Sequence, residues 1–212
     1  MSTASDARFW DRSSGKYAKA AIKDQAGYER TLERTRAFLG PDDRVLELGC
    51  GTGTTALRLA GSVQSYVATD ISAGMIEIAE EKNASGAVAG LAFRVATAEA
   101  LAHEVHRFDA VLGFNYLHLV RDVPGTLRSI HALLAPEGLF ISKTPCLGDM
   151  NPLIRLVLLP AMRAIGKAPH VSIFRATELD QLLLDAGFDI LAVESHATGS
   201  SDGRPYIVAR RR

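Results

Sequence analysis

The chain has 212 residues, and its 24 Lys and Arg side chains are balanced by 24 Asp and Glu side chains, so the formal net charge is zero. A neutral chain lacks the positive field on which nucleic-acid coats and polybasic membrane binders depend. Apolar residues make up 47% of the sequence, too many for a disordered protein. We therefore expect a globular protein with no nucleic-acid partner and no membrane partner.

The two cysteines, Cys50 and Cys146, cannot build a disulfide scaffold, and no Cys/His cluster has the spacing of a zinc site. The first ten residues contain no apolar run of the kind found in a secretory signal. The most apolar stretch, residues 153–165, is too short and too interrupted by Arg and Pro to span a bilayer. The sequence thus predicts a cytoplasmic protein with no metal site.

Apolar and turn patterns predict that strands alternate with helices after an N-terminal helical extension over residues 1–40. The predicted strands are 44–48, 65–70, 91–96, 108–115, 139–143, 188–195 and 206–210. The predicted helices are 54–61, 72–83, 124–134 and one that opens near Thr177 and ends at Gly187.

This alternation indicates an α/β fold, a doubly wound and mostly parallel sheet of seven strands with helices on both faces. The last two strands are joined by the turn-forming residues 198–203, with no helix between them, so they must be antiparallel neighbours. Residues 41–212 are expected to form one domain. Within it, the apolar, proline-interrupted segment 146–175 is a predicted lid, and the extension over residues 1–40 should also cover the site. The expected apolar lid residues are Leu153, Ile154, Val157, Leu158 and Phe174.

The most informative segment runs from Val45 to Thr54, where a predicted strand passes through Gly49, Gly51 and Gly53 into a predicted helix. Glycine lets the backbone turn sharply and lets a ligand approach the main chain closely. The following helix N-terminus favours a negative group. Asp70 stands 19 residues after Gly51, at the end of the next strand, where a carboxylate can accept both hydroxyls of a ribose. The pattern therefore predicts a nucleotide site.

The glycine spacing and one carboxylate distinguish between classes of nucleotide. In the dinucleotide fingerprint the third glycine comes three residues after the second. That position is Thr54 in this sequence, and the third glycine stands one residue earlier, at Gly53. Glu47, two residues before the first glycine, would repel a pyrophosphate and attract a cofactor that carries an ammonium and a sulfonium.

The pattern Glu47-x-Gly49-x-Gly51-x-Gly53 followed by Asp70 resembles the binding loop of class I S-adenosylmethionine-dependent methyltransferases, and a reversed last strand is typical of that family. The resemblance covers residues 42–145 by motif and the remainder by topology. It implies a Rossmann-like methyltransferase fold, S-adenosylmethionine as cofactor with S-adenosylhomocysteine as product, and methyl transfer to a small organic metabolite. The residues that the resemblance places at the cofactor are Tyr17, Glu47, Gly49, Cys50, Gly51, Gly53, Asp70, Ile71, Met75, Ala98, Glu99 and Asn115.

Within that set, the resemblance assigns Glu47 and the backbone of residues 49–53 to the methionine end of the cofactor and Asp70 to the ribose. Adenine would contact Ile71, Met75, Ala98 and Glu99, while Tyr17 would fold over the methionine end. The competing interpretation is core packing for Ile71 and Met75, hydrophobic docking of the extension for Tyr17, and a solvated helix start for Glu99.

Methyl transfer from a sulfonium needs alignment and a dry site, and it needs a base only if the acceptor must first lose a proton. His118, in the run Phe114-Asn115-Tyr116-Leu117-His118, is the candidate base because it titrates near neutral pH. A structural histidine is the alternative, and Tyr116 could form a wall of the acceptor pocket.

Two other functions stay open at this point. The chain could be an NAD(P)-dependent oxidoreductase of a related Rossmann fold, or an S-adenosylmethionine-binding protein without catalysis. The acceptor atom, whether oxygen, nitrogen or carbon, and the oligomeric state are not determined by the sequence.

Overall fold

A computed structural model describes residues 3–149, 168–199 and 203–212. Two helices, α1 (Thr3–Ala18) and α2 (Gln25–Arg36), precede the sheet. The strands are β1 (Arg44–Leu48), β2 (Ser65–Asp70), β3 (Leu91–Val95), β4 (Phe108–Phe114), β5 (Leu134–Lys143), β6 (Phe188–Glu194) and β7 (Tyr206–Arg211). The other α-helices are α3 (Thr54–Leu59), α4 (Ala73–Ala84), α5 (Ala98–Leu101), α6 (Val123–Leu133) and α7 (Ala176–Asp185). Short 3₁₀ turns cover Ala60–Ser62, Leu117–Leu119 and Leu147–Asp149.

The seven strands form one sheet in the order β3-β2-β1-β4-β5-β7-β6. β7 runs antiparallel to both of its neighbours, and the other pairs are parallel. The predicted doubly wound sheet with a reversed last strand is therefore confirmed. β7 lies between β5 and β6, which places β6 at the edge of the sheet.

Each face of the sheet carries its own apolar core, because alternate strand residues point to opposite sides. Leu46 and Leu48 pack with buried residues of α6 and α7 on one face, while Val45 packs with residues of α2, α3 and α4 on the other. This two-sided burial explains the nearly continuous apolar runs of the central strands. In the described part of the chain, no helix is both long enough and apolar enough to cross a membrane.

Several element boundaries differ from the sequence prediction by one residue or more. β5 begins at Leu134, five residues early, because the chain leaves α6 directly into a bulged strand in which Glu137 has a φ of +63°. β4 ends at Phe114, since Asn115 has a φ of +52°, and α5 was not predicted. α7 begins at Ala176, and Glu178 accepts a hydrogen bond from the Arg175 backbone in the first turn.

Candidate active site

A cavity of about 700 Å³ lies where the carboxyl ends of β1, β2 and β4 meet. Parallel strands bring their carboxyl ends to the same edge, so loops that are distant in sequence converge there. Of the predicted residues, those that line the cavity are Tyr17, Gly49, Gly51, Asp70, Ile71, Met75, Glu99, Asn115, Tyr116 and His118. Glu47, Cys50, Gly53 and Ala98 do not belong to the lining.

Hydrogen bonds from neighbouring elements fix the conformation of the loop after β1. Asp70 accepts hydrogen bonds from the backbone amides of Gly51 (3.0 Å) and Ser72 (2.9 Å). Burial raises the pKa of Asp70, and these two hydrogen bonds oppose the rise. On the other side of the loop, the Lys82 ammonium donates to the carbonyl (2.9 Å) and hydroxyl (2.8 Å) of Thr52. The loop is therefore pre-shaped by residues from β2 and α4.

The three glycines of the loop serve different purposes. Gly51 has a φ of +54° and lines the cavity, where an added Cβ would lie 3.4 Å from the Tyr17 ring. A Cβ on Gly49 would come within 2.8 Å of the Tyr116 ring. Gly53 faces away from the cavity, and its Cβ would come within 2.8 Å of Ala79. Gly53 thus permits helix–loop packing, and its predicted role at the cofactor stays a prediction.

Glu47 lies behind the cavity wall and is 3% exposed. The Tyr66 hydroxyl donates to its carboxyl group at 2.8 Å. Burial raises the pKa of Glu47 to about 7, the Tyr66 hydrogen bond partly offsets this, and the charge of Asp70 adds to the rise. The loop thus covers a carboxyl group that is near half ionisation at neutral pH.

Cys50, inside the loop, is a buried free cysteine whose thiol lies 3.6 Å from the Gly51 carbonyl. Burial and the nearby carboxylates raise the pKa of this thiol well above its usual range. A thiol in this state is a space-filling group and a poor nucleophile.

Helix α1 lies across the cavity and is fastened at two points. Asp11 accepts from the Ser72 hydroxyl (2.7 Å) and the Gly74 amide (3.1 Å) at the start of α4. Asp6 accepts two hydrogen bonds of 2.8 Å from Arg121, beyond β4. The lining residues Trp10 and Tyr17 of α1 lie in edge-to-face contact, 6.2 Å apart.

Burial raises the pKa of Tyr17, and the charges of Asp70 and Glu47 raise it further. The hydroxyl of Tyr17 is therefore in the field of both carboxyl groups and stays protonated at neutral pH. The Tyr17 ring also lies 3.4 Å from the position of a Cβ on Gly51, which places α1 over the same part of the cavity as the glycine loop.

The predicted adenine residues lie beside β3. Glu99 accepts a 2.6 Å hydrogen bond from Thr126, and Met75 is 2% exposed while still contributing to the lining. Ala98 is fully buried.

Two residues that follow β4, Asn115 and His118, have an unusual backbone conformation and a shifted pKa, respectively. Asn115 adopts a positive φ while its amide donates to the Lys143 carbonyl at 2.7 Å, a conformation that clusters at functional sites. His118 hydrogen-bonds Thr144 through Nδ1 at 3.2 Å. Burial, with the charge of Arg204, lowers the pKa of His118 to about 4. His118 is thus neutral at pH 7 and a weak base.

Sequence reasoning missed Asp6, Arg121, His170 and Arg204, which also line the cavity. They lie far from the glycine loop in sequence, and no local motif marks them. Among the predicted lid residues, Phe174 is 5% exposed and belongs to the core. Leu153, Ile154, Val157 and Leu158 lie outside the described residues. Within the described ranges, no three His, Cys, Asp or Glu side chains are grouped so as to hold a metal ion.

The residues present fit an adenosylmethionine cofactor. A Cβ would narrow the space at Gly51, the Asp70 carboxyl faces the cavity one strand away, and Glu47 supplies negative potential behind the loop. Two carboxyl groups in this position favour a cationic nucleoside over a ligand that carries a diphosphate.

Comparison with known proteins identifies the family of this chain. A family model described as a methyltransferase domain matches residues 20–193. A curated relative, the mitochondrial arginine-hydroxylase NDUFAF5 of Danio rerio, is 32% identical over 178 residues, which cover 82% of this chain and 53% of that protein. The ubiquinone biosynthesis O-methyltransferase of Methylocella silvestris is 38% identical over 101 residues, covering 48% of this chain and 39% of the relative. The chain thus spans about half or less of the length of these two relatives.

Among solved structures, the magnesium protoporphyrin IX methyltransferase of Synechocystis PCC 6803 with bound SAM superposes with a TM-score of 0.71. The two chains are 17% identical, and the match covers 100% of this chain and 98% of that one, a likeness that shows a shared fold. The family expected from the glycine loop is confirmed, and S-adenosylmethionine is the cofactor of that enzyme class. The chain therefore belongs to the methyltransferase-domain family.

Proposed function

We propose that this protein binds S-adenosylmethionine in the cavity and transfers the methyl group to a small organic acceptor. The observation that carries the proposal is the hydrogen bond from the Gly51 amide to Asp70 at the carboxyl ends of β1 and β2. Both residues line a cavity of about 700 Å³. A cavity of this size suits a small-molecule ligand.

The proposed contacts keep the roles expected from the sequence. The Asp70 oxygens, each already held by one backbone amide, accept the ribose hydroxyls, and Gly49 and Gly51 offer their backbone to the methionine end. Glu47 acts on the amino group through its charge, and Tyr17 covers the same end. The remaining proposed contacts are Ile71, Met75 and Glu99 with Ala98 on the adenine side, and Asn115 towards the acceptor.

When bound, the cofactor supplies a methyl group on a positively charged sulfur. The protein's task is then to align the acceptor and to exclude water. Helix α1, fastened through Asp6 and Asp11, closes one side of the cavity. His118 is neutral at physiological pH and therefore able to accept a proton, although its lowered pKa makes it a weak base. An acceptor atom that is nucleophilic without a strong base fits this site best, and it can be oxygen, nitrogen or carbon.

A small, partly apolar metabolite remains our proposal for the acceptor, since the lining includes Leu119, Val120, Pro145 and Val171. The cytoplasmic location is likewise a proposal. The division into an extension over residues 1–40 and a domain over residues 41–212 with a lid at 146–175 also stays a prediction.

A second candidate is binding of the cofactor without methyl transfer. It is favoured by the relative named as an arginine-hydroxylase, which matches 82% of this chain at 32% identity. The two functions share the cofactor site and differ in whether the methyl group reaches an acceptor.

The test has two steps. Calorimetric titration with S-adenosylmethionine, S-adenosylhomocysteine and NAD⁺ identifies the cofactor, and the Gly51→Val variant should lose binding. Gly61→Val is the matched control, because a Cβ at Gly61 meets nothing within 4 Å. Retained micromolar affinity in Gly51→Val, or preferential binding of NAD⁺, refutes the site.

The second step incubates the protein with methyl-labelled donor and fractionated small metabolites. Label in a new product supports methyl transfer. Tight donor binding without labelled product across the fractions supports the second candidate.

A further inference from the structure

Hydrogen bonds from two neighbouring segments hold His118 in place at the cavity. The Thr144 hydroxyl oxygen lies 3.2 Å from His118 Nδ1 and 3.4 Å from the His118 backbone amide, which donates to it. The Ser172 amide donates to the His118 carbonyl at 2.7 Å. Leu117, in the same 3₁₀ turn, is fully buried in the core. The imidazole is therefore fixed at the cavity wall, where it contributes to the lining.

The Thr144 hydroxyl has few possible partners. Thr144 directly follows β5 and is fully buried. In the described part of the chain, this hydroxyl forms hydrogen bonds only with the amide and Nδ1 of His118. A buried hydroxyl hydrogen needs an acceptor, and the amide is itself a donor. The hydrogen of the Thr144 hydroxyl therefore goes to His118 Nδ1.

This contact selects one form of the imidazole. If Nδ1 carried a hydrogen, it would donate to an oxygen that already accepts the amide, and the Thr144 hydrogen would have no acceptor. A protonated ring meets the same obstacle, because both of its nitrogens carry hydrogens. Burial and the charge of Arg204 also lower the pKa of His118 to about 4, in agreement with a neutral ring. The form in which every group is paired is neutral, with its hydrogen on Nε2.

The Nε2 hydrogen is then the polar group that His118 can offer to a ligand. Nε2 makes no hydrogen bond to another residue among those described. The lining residues that follow His118, Leu119 and Val120, are apolar. A single neutral donor beside apolar side chains favours a ligand group that brings a lone pair and no charge.

We propose that Thr144 positions His118 as a hydrogen-bond donor, through Nε2, to a carbonyl oxygen of the methyl acceptor. This inference rests on the proposed function, because it places the acceptor in this cavity. A carbonyl oxygen only accepts hydrogen bonds, whereas a protonated amine would set one donor against another.

The assignment also limits the chemistry of the acceptor. A hydrogen bond to the methylated atom would draw electrons from the lone pair that attacks the methyl group, so the bound carbonyl is a neighbour of that atom. In this tautomer both ring nitrogens are engaged as described, and His118 has no free lone pair for a proton. The acceptor is therefore a small carbonyl compound whose nucleophilic atom needs no proton transfer to His118.

Nuclear magnetic resonance tests the tautomer directly. Long-range ¹H–¹⁵N correlation spectra show which ring nitrogen carries the hydrogen, and the His118 signals among the six histidines are those missing in His118→Leu. At neutral pH the wild type should carry the hydrogen on Nε2. Thr144→Val, which keeps the shape and removes the hydroxyl, should give a mixture of tautomers, and Thr144→Ser should restore the single form. A hydrogen on Nδ1 in the wild type, or an unchanged tautomer in Thr144→Val, overturns the positioning role.

Acetophenone and α-methylstyrene test the donor role, because they differ only in an oxygen and a methylene group. With the protein saturated by S-adenosylhomocysteine, acetophenone should bind about fivefold more tightly, as expected for one hydrogen bond between neutral groups. Its binding should also shift the His118 Nε2 signal. His118→Leu should remove the preference, and His103→Leu is the matched control, because His103 is exposed and does not line the cavity.

Equal affinity for the two compounds overturns the donor role, as does an unmoved Nε2 signal or a preference that survives in His118→Leu. The titration with S-adenosylhomocysteine is a separate measurement. If it shows no binding, the proposed function fails, whereas product binding without a preference for the ketone overturns only the role of His118. The tautomer measurement needs no ligand and is independent of both.

Discussion

The substitution Glu47→Gln should reveal a buried carboxyl group that titrates near neutrality. The side chain is 3% exposed, and burial raises its pKa to about 7 from the ordinary value of 4.5. Between those two values the folded protein binds a proton that the unfolded chain has released. The contribution of Glu47 to stability is therefore fully present below about pH 4.5 and is lost as the pH rises through 7.

The linkage relation gives the size of the effect. Between about pH 5.5 and about pH 8, a group with these two pKa values should lower the free energy of unfolding by about 2 kcal/mol. The amide introduced by Glu47→Gln cannot ionise, and its oxygen still accepts a hydrogen bond from Tyr66. The packing cost of the substitution is the same at both pH values, so the pH-dependent loss should be about 2 kcal/mol smaller in the variant.

Urea unfolding of both proteins at the two pH values measures this difference. His118, whose pKa is lowered to about 4, has the opposite sign, because its contribution is lost as the pH falls. That contribution is common to both proteins and cancels. The same pH dependence in wild type and Glu47→Gln would refute the reasoning, since it would mean that Glu47 ionises as freely in the fold as in water.

A second variant and a binding measurement sharpen the result. The Tyr66 hydroxyl stabilises the ionised carboxylate, so Tyr66→Phe should raise the pKa of Glu47 further and move the stability loss to higher pH.

If the donor's ammonium lies near Glu47, binding should release a proton at about pH 6.5. Calorimetry in buffers of different ionisation enthalpy counts that proton, which Glu47→Gln should not release.

Three further substitutions test the cavity. Asp70→Ala should cost about 1–3 kcal/mol of S-adenosylmethionine affinity through lost charge-assisted hydrogen bonds, and an unchanged dissociation constant would place the ribose elsewhere. Asp6→Asn weakens the ion pair with Arg121, so the donor should dissociate faster, as measured by Trp10 fluorescence. The free energy of unfolding should change by less than about 1 kcal/mol. An unchanged dissociation rate would show that α1 does not retain the donor. If His118 is the base, His118→Ala should lower turnover about 10²-fold with donor affinity retained, and wild-type turnover in the variant removes His118 from the mechanism.

The architecture was predictable because each strand and helix has its own local pattern. Continuous apolar runs mark strands buried on both faces, and the turn residues 198–203 require the last two strands to be antiparallel. The start of β5 was not predictable in the same way. A helix predicted to end at residue 134 and a strand predicted to begin at residue 139 left Pro136 and Gly138 in a loop, whereas tertiary pairing with β4 draws these residues into a bulged strand.

The donor side of the site was predictable for a similar reason. Gly51 and Asp70 belong to one strand–loop–helix–strand unit, so their spacing in sequence reports their spacing in the fold. The burial of Glu47 against Tyr66 could not be inferred, because both residues lie on apolar strands and only the sheet register brings their side chains together. Arg204 and His170 converge on the cavity through tertiary packing, for which a single sequence has no local signal.

The carboxyl groups at the donor end of the cavity would distinguish the donor from its product. The proposed donor carries a positive sulfur beside Glu47 and Asp70, and a cation is attracted to two carboxyl groups in an enclosed space. Methyl transfer breaks the bond between carbon and sulfur and leaves the electron pair on sulfur, so that the sulfur becomes neutral. The cover formed by α1 would exclude water and strengthen the attraction, and the loss of the charge would weaken the hold of the two carboxyl groups on the product.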